Sequence, residues 1–215
     1  AMAAAAAEAA TSMAAGLAVG SLQAYAAFFQ KPWKLQRKIR PRTMALMPSG
    51  ESGDGSLIAE CEGNANLLMH CEEKTIWTRR LLLMYEETGN MVTAAMPDRI
   101  NSFQKTYFYE LSADTGALEL KIYFDVSREP GAELSHEDLF CTFNLSKATV
   151  GGDPVPSSEH LCQDDRYVGE LFLENKSTWT LRYQVMGPNK DYIIETHFEE
   201  VDPTAEANYD DLFDD

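Results

Sequence analysis

The feature that most constrains this chain is a period of two. In "WKLQRKI", Trp33, Leu35, Arg37 and Ile39 alternate with Lys34, Gln36 and Lys38. "LIAECEGNANL" sets Leu57, Ala59, Cys61, Gly63, Ala65 and Leu67 against mostly polar neighbours. "LELKIYFD", "WTLRYQVMG" and "DYIIETHFEE" repeat the pattern, with Leu118–Leu120–Ile122–Phe124, Trp179–Leu181–Tyr183–Val185 and Tyr192–Ile194–Thr196–Phe198 on one face each. Alternation of this kind turns one face of a strand to a core and the other to water. Breaks at "SGESGDG", "ETGN", "SADTG", "GGDPVPSS", "ENKS" and "GPNK" carry turn chemistry, and no long amphipathic helix intervenes. About eight to ten such strands in series predict an all-β fold, a closed antiparallel up-and-down barrel rather than an α/β sheet. A barrel of that size can enclose one small ligand.

Composition removes several function classes. The formal charge is −16, from 34 acidic and 18 basic residues, and such a surface repels phosphate backbones. Nucleic acid is therefore not an expected partner. Cys61, Cys71, Cys141 and Cys162 form no CxxC pair and lack the spacing of a small stapled domain. Reduced thiols in the cytosol or an organelle are expected. His70, His136 and His197 are scattered, so no metal is expected. There is no GxGxxG, Walker loop, HExxH or GxSxG, and no cofactor is implied.

Two flanks differ from the barrel region, 31–201. Residues 1–30 are alanine-rich, and 9–29 carry no charge. Gly16 and Gly20 have a small-xxx-small spacing, and the aromatic residues Tyr25, Phe28, Phe29 and Trp33 follow, with Lys31, Lys34, Arg37 and Lys38 as a basic flank. That order suits a membrane anchor, while a helix packed on the domain or a targeting remnant would read alike. Residues 202–215 form an acidic tail, either solvated or a docking peptide with Tyr209, Leu212 and Phe213 as anchors.

Several candidate site residues come from the inward parity. Arg37 shares a face with Trp33, Leu35 and Ile39, so it needs an internal carboxylate, for which Glu60, Glu62, Glu87 and Asp165 are candidates, or an anionic ligand. Tyr85, Tyr107, Tyr167 and Tyr183 would supply aromatic walls. "EHLCQDDRYVGE", read as one strand, turns Asp165 and Tyr167 inward with Leu171 and Leu173. His160 and Cys162 then take the opposite parity unless a bulge near Gln163 re-aims them. His160 with Asp165 would make a general base, and Cys162 beside His160 an activated thiol. A polar network ordering one barrel end is the plainer alternative. Lys190, in "GPNKDY", could reach over a barrel mouth.

The same segments resemble a bacterial family of unknown function, DUF6314, expected to be lipocalin-like. "FFQKPWKLQRKI" is similar to its opening Phe-Leu-x-Gly-x-Trp-x-Leu-x-Arg, with Lys31 in place of the glycine. "ECEGNANL" resembles Phe-x-Gly-x-Ala, "LMYEETG" Tyr-x-Glu-x-Gly, and "FQKTYFYEL" Arg/Lys-x-Tyr-x-Trp. "EHLCQDDRYVGELFL" resembles His-x-Cys-x-x-Asp-x-Tyr-x-Gly, and "YQVMGPNKDYIIETHFEE" resembles Val-x-Gly-Pro-x-Lys-Asp-Tyr. The resemblance runs from Phe28 to about Glu200 and implies a fold rather than an activity.

Three functions stay open on the sequence. One is a non-catalytic barrel for a small, partly apolar ligand, with an anionic group suited to Arg37. Another is an accessory subunit of a membrane-associated organelle complex, held by the N-terminal segment and the acidic tail. The third is a cofactor-free isomerase, cyclase or hydrolase using His160 and Asp165.

Overall fold

The computed structural model describes residues 21–42, 57–74, 79–114, 117–124 and 134–202. The acidic tail beyond 202 and most of the alanine-rich segment lie outside these residues. A short helix, α1, covers 21–29 and leads into β1, Trp33–Pro41. The remaining strands are β2 (Ala59–Lys74), β3 (Arg79–Thr93), β4 (Met96–Asp114), β5 (Ala117–Phe124), β6 (Leu139–Asn144), β7 (Val155–Pro156), β8 (His160–Cys162), β9 (Asp165–Leu173), β10 (Thr178–Met186) and β11 (Asp191–Glu200). They form one antiparallel sheet in the order β6-β5-β4-β3-β2-β1-β11-β10-β9-β7, with β8 paired to β9.

This order is an up-and-down meander closed by its ends. The first strand pairs with the last along its whole length, from Trp33 opposite Glu200 to Pro41 opposite Tyr192. The remaining seam lies between β6 and the chain just after β7. A bridge joins Phe143 to Ser157, the Ser158 amide donates to the Thr142 carbonyl at 2.8 Å, and the Thr142 amide donates to Ser158 Oγ at 2.9 Å. The barrel is thus nearly closed, as the alternation predicts. Closure hides strand edges that would otherwise offer unpaired backbone groups.

One end is filled. Helix α1 turns Leu22, Ala26 and Phe29, at spacings of four and three, onto the barrel, and all three are buried. Pro32 disfavours helix in the residue before it, so α1 stops short of it. The open end of the helix is satisfied by Trp33, whose Nε1 donates to the Phe29 carbonyl at 2.9 Å. Trp179 lies parallel to Phe198, centroids 3.8 Å apart, with Phe29 and Trp33 edge-on to it. Leucines 35, 67, 81, 83, 111, 118, 120, 171 and 173 complete this core. Among the described residues no helix is long and apolar enough to cross a membrane.

"ETGN" is not a turn. It lies within β3, which continues to Thr93. Gly89 sits directly opposite Gly63 of β2, and a Cβ on Gly63 would lie 2.7 Å from the Gly89 Cα and overlap the Thr88 carbonyl oxygen. The two glycines let the ribbon close up here, a packing need that local turn chemistry mimics. "SGESGDG" falls outside the described residues.

Candidate functional site

Opposite the helix-filled end, the barrel holds a cavity of about 300 Å³. Its floor is polar. Inward parity on β1 carries Arg37 into the barrel, and parity on β3 carries Tyr85 and Glu87. Arg37 Nη1 and Nη2 donate to the two Glu87 oxygens at 2.8 and 2.6 Å, and Nε donates to Thr196 Oγ1 at 2.8 Å. The Tyr85 hydroxyl donates to Glu87 Oε2 at 2.5 Å. The Glu87 side chain is 0% exposed and that of Arg37 12%. Burial pushes the Glu87 carboxyl up, but Arg37 and Tyr85 together outweigh it, and the group titrates below the usual carboxylate range. Burial likewise opposes the Arg37 charge, and Glu87 more than restores it. Of the four carboxylates open to Arg37 on the sequence, Glu87 is the one it meets.

Three further donors line the cavity. Lys105, Tyr107 and Tyr109 follow one another on the inner parity of β4, and Lys105 stands opposite Glu87 in register. Glu87 is already held by Arg37 and Tyr85. Among the described residues Lys105, Tyr107 and Tyr109 have no hydrogen-bond or ion-pair partner, although Tyr109 is only 3% exposed. Lys105 is an exposed residue at the edge of this cavity, and it also borders a second, more open one with Gln104, Thr106 and Phe124. Loss of water around it, and the nearby Arg37 charge, lower the Lys105 pKa against the opposing pull of Glu87.

The walls are aromatic. Tyr85 stacks on Tyr109 at 5.1 Å and approaches Tyr107 at 5.9 Å. Phe140 is a hub, with Phe124, His160, Tyr183 and Tyr167 rings at 4.8, 5.0, 5.1 and 5.5 Å. Its inward aim comes from a bulge. The β5–β6 register runs Ile122–Cys141 and then Tyr123–Leu139, which leaves Phe140 unpaired. Tyr183 Oη lies 3.6 Å from Cys141 Sγ, and burial pushes that thiol up to about 12.

"EHLCQDDRYVGE" is a hairpin, not one strand. Gln163 adopts φ 57°, and the chain reverses so that His160 faces Tyr167 and Cys162 faces Asp165. The reversal, rather than a bulge, brings His160 and Cys162 round to the side of Tyr167 and Asp165. Cys162 and Tyr167 line the cavity. Asp165 Oδ2 pairs with Lys190 Nζ at 2.6 Å, and Lys190 donates to the Tyr167 hydroxyl at 3.3 Å. Asp165 and Tyr167 together raise the Lys190 pKa. The Gly187 carrying the turn has no room for a side chain, since a Cβ there would overlap Asp165 Oδ1. No hydrogen bond joins His160 to Asp165 among the described residues; the imidazole packs on Phe124 and Phe140, and burial lowers its pKa. Among those residues no cluster of His, Cys, Asp or Glu is arranged to hold a metal ion.

Every candidate residue of the sequence therefore lies at this end of the barrel. Arg37, Tyr85, Tyr107, Cys162, Tyr167 and Tyr183 line the cavity, while His160, Asp165 and Lys190 brace the hairpin beside it. Residues 29–200 match the profile of DUF6314, a family of unknown function. The chain belongs to this family. No curated protein matches it. The DUF6314 resemblances quoted above converge here too. The Arg of Trp-x-Leu-x-Arg, the Tyr and Glu of Tyr-x-Glu-x-Gly and the Lys and Tyr of Lys-x-Tyr are Arg37, Tyr85, Glu87, Lys105 and Tyr107, and all five border the cavity. Glu87 and Lys105 were thus signalled by those segments. Tyr109 was within reach of parity, and Phe140 carried no sequence signal, because the bulge breaks the alternation.

Proposed function

We propose that this DUF6314 barrel binds a small, partly apolar ligand whose oxygen-rich, anionic head sits against Lys105, Tyr107 and Tyr109. The observation that carries the reading is the set of three donors without acceptors among the described residues, in an otherwise aromatic cavity. Arg37 and Glu87 neutralise each other, so Lys105 supplies the surplus positive charge of the floor. A ligand carboxylate facing these donors would gain charge-assisted hydrogen bonds, which are stronger than neutral ones. Aromatic walls recognise a flat or branched apolar body with little specificity of their own.

The test has two parts. Native mass spectrometry of the purified protein is expected to show a co-purifying small molecule. Aromatic carboxylates such as benzoate are expected to quench intrinsic fluorescence saturably, and Lys105→Ala to weaken this at least about tenfold, the effect of one lost charge-assisted contact. Absence of both co-purifying ligand and saturable quenching overturns the reading. Retained affinity in Lys105→Ala overturns the role of the head group.

A further inference from the structure

Arg37 has more donors than its partners use. A guanidinium carries five N–H groups. Nε spends its one on Thr196 Oγ1 at 2.8 Å, and Nη1 and Nη2 each spend one on Glu87, at 2.8 and 2.6 Å. One N–H is left on each terminal nitrogen. Thr196, the register partner of Arg37 on β11, accepts through its oxygen and keeps its own O–H to donate. Among the described residues none of these three hydrogens meets an acceptor. The Arg37 side chain is 12% exposed and Thr196 4%, and both line the cavity. Glu87 is already engaged, since it receives both terminal nitrogens and the Tyr85 hydroxyl. Charge decides what kind of acceptor fits. Arg37 and Glu87 balance, so a second carboxylate here would add an uncompensated negative charge beside a fully buried one. An uncharged oxygen adds none, and a carbonyl presents two lone pairs in its own plane.

We propose that Arg37 and Thr196 form a second polar contact point of the cavity, which takes an uncharged carbonyl oxygen on the apolar body of the ligand. This rests on the reading of the cavity as a ligand site, and it makes the ligand bifunctional. The anionic head lies against Lys105, Tyr107 and Tyr109, and a ketone, ester or amide carbonyl meets Arg37. Glu87 is a positioning residue: its two oxygens fix the guanidinium plane and cancel its charge, so selection here is by hydrogen bonding and not by charge. Leu181, Ile194 and Phe198 line the same cavity, and in such apolar surroundings a bond from a charged donor is stronger than in water. An analogue with carbon in place of the oxygen forgoes these bonds, which is how a site built around donors discriminates.

Matched benzoates test this on the full chain. The probes are 3- and 4-acetylbenzoate, each against its isopropenyl counterpart, which keeps the planar shape and replaces the carbonyl oxygen by a methylene carbon. Titration is expected to show at least one acetyl ligand binding about tenfold more tightly than its counterpart, the effect of a hydrogen bond from a charged donor. The infrared carbonyl stretch of that bound ligand is expected below its position in water. Arg37→Met with Glu87→Leu, which removes the donors and keeps the charge balance, is expected to bind benzoate and lose the preference for the acetyl ligand. The comparison within the unaltered chain decides the matter even if that variant folds poorly. A preference that persists in the folded double variant overturns the assignment to Arg37. Saturable benzoate binding with equal affinity within both pairs overturns the carbonyl contact and leaves the binding reading standing. No saturable binding of any of these benzoates overturns both.

Discussion

The Arg37 guanidinium and the Glu87 carboxylate meet through two hydrogen bonds, 2.8 and 2.6 Å long, across an intervening strand. They are not register partners. Arg37 stands opposite Cys61 of β2, which stands opposite Met91 of β3, four residues beyond Glu87. The long guanidinium crosses the barrel interior diagonally to reach it.

Truncating Arg37 isolates a buried carboxylate. Arg37→Met is expected to lose about 3–5 kcal/mol at neutral pH by urea denaturation, and Arg37→Met with Glu87→Leu to regain most of it. The acid side gives a sign. In the unaltered protein the folded-state pKa of Glu87 is depressed, so its contribution is present above the unfolded-state value and is lost as pH falls through the folded one. Without Arg37, burial raises that pKa, and the variant's deficit is expected to shrink on acidification to about pH 4. An equal deficit at both pH values would contradict the buried pair.

The tyrosines set the alkaline limit. Burial raises Tyr85, Tyr109 and Tyr183 well above the ordinary phenol range, and raises Tyr107 as well. Their phenols favour the folded state fully below the unfolded-state pKa of about 10, and this is lost as pH climbs towards the folded values. Tyrosinate absorbance followed with circular dichroism is expected to show these groups ionising only as the barrel unfolds. Reversible ionisation of all nine tyrosines around an ordinary pKa, with the fold intact, would exclude the arrangement.

At the Gly63–Gly89 pair there is no space to yield, because the obstructing atoms are backbone. Gly63→Ala is expected to destabilise the barrel by at least about 2 kcal/mol, as overpacking does. A thermal midpoint unchanged from that of the parent would mean that the strands do not approach so closely in solution.

Lys190 ties the β8–β9 hairpin to the β10–β11 turn through Asp165 and Tyr167. Lys190→Ala is expected to speed amide exchange over 160–166 by up to roughly tenfold while leaving the melting temperature nearly unchanged, since exposed pairs add little global stability. Unaltered exchange would remove the tie from the account of the cavity's rim.

Parity placed Arg37, Tyr167 and Tyr183 inward, because a barrel stave keeps its alternation wherever no bulge interrupts it. Parity failed where backbone geometry changed without a loud sequence marker. Phe140 reaches the cavity through an unpaired bulge position, and Cys162 through a reversal at Gln163, a residue type that rarely takes a left-handed conformation. Glycine misled in the other direction at Gly89, where close packing looked like a turn. The Arg37–Glu87 pairing needed the relative shear of three strands, and no single segment contains that information.

Because β11 is wedged between β1 and β10, closure waits for the final stave. A ribosome-bound chain lacking Asp191–Glu200 would present open margins on β1 and β10, each able to capture a neighbour's strand. Closure of the barrel is therefore dominated by its most distant pairing, which favours slow folding.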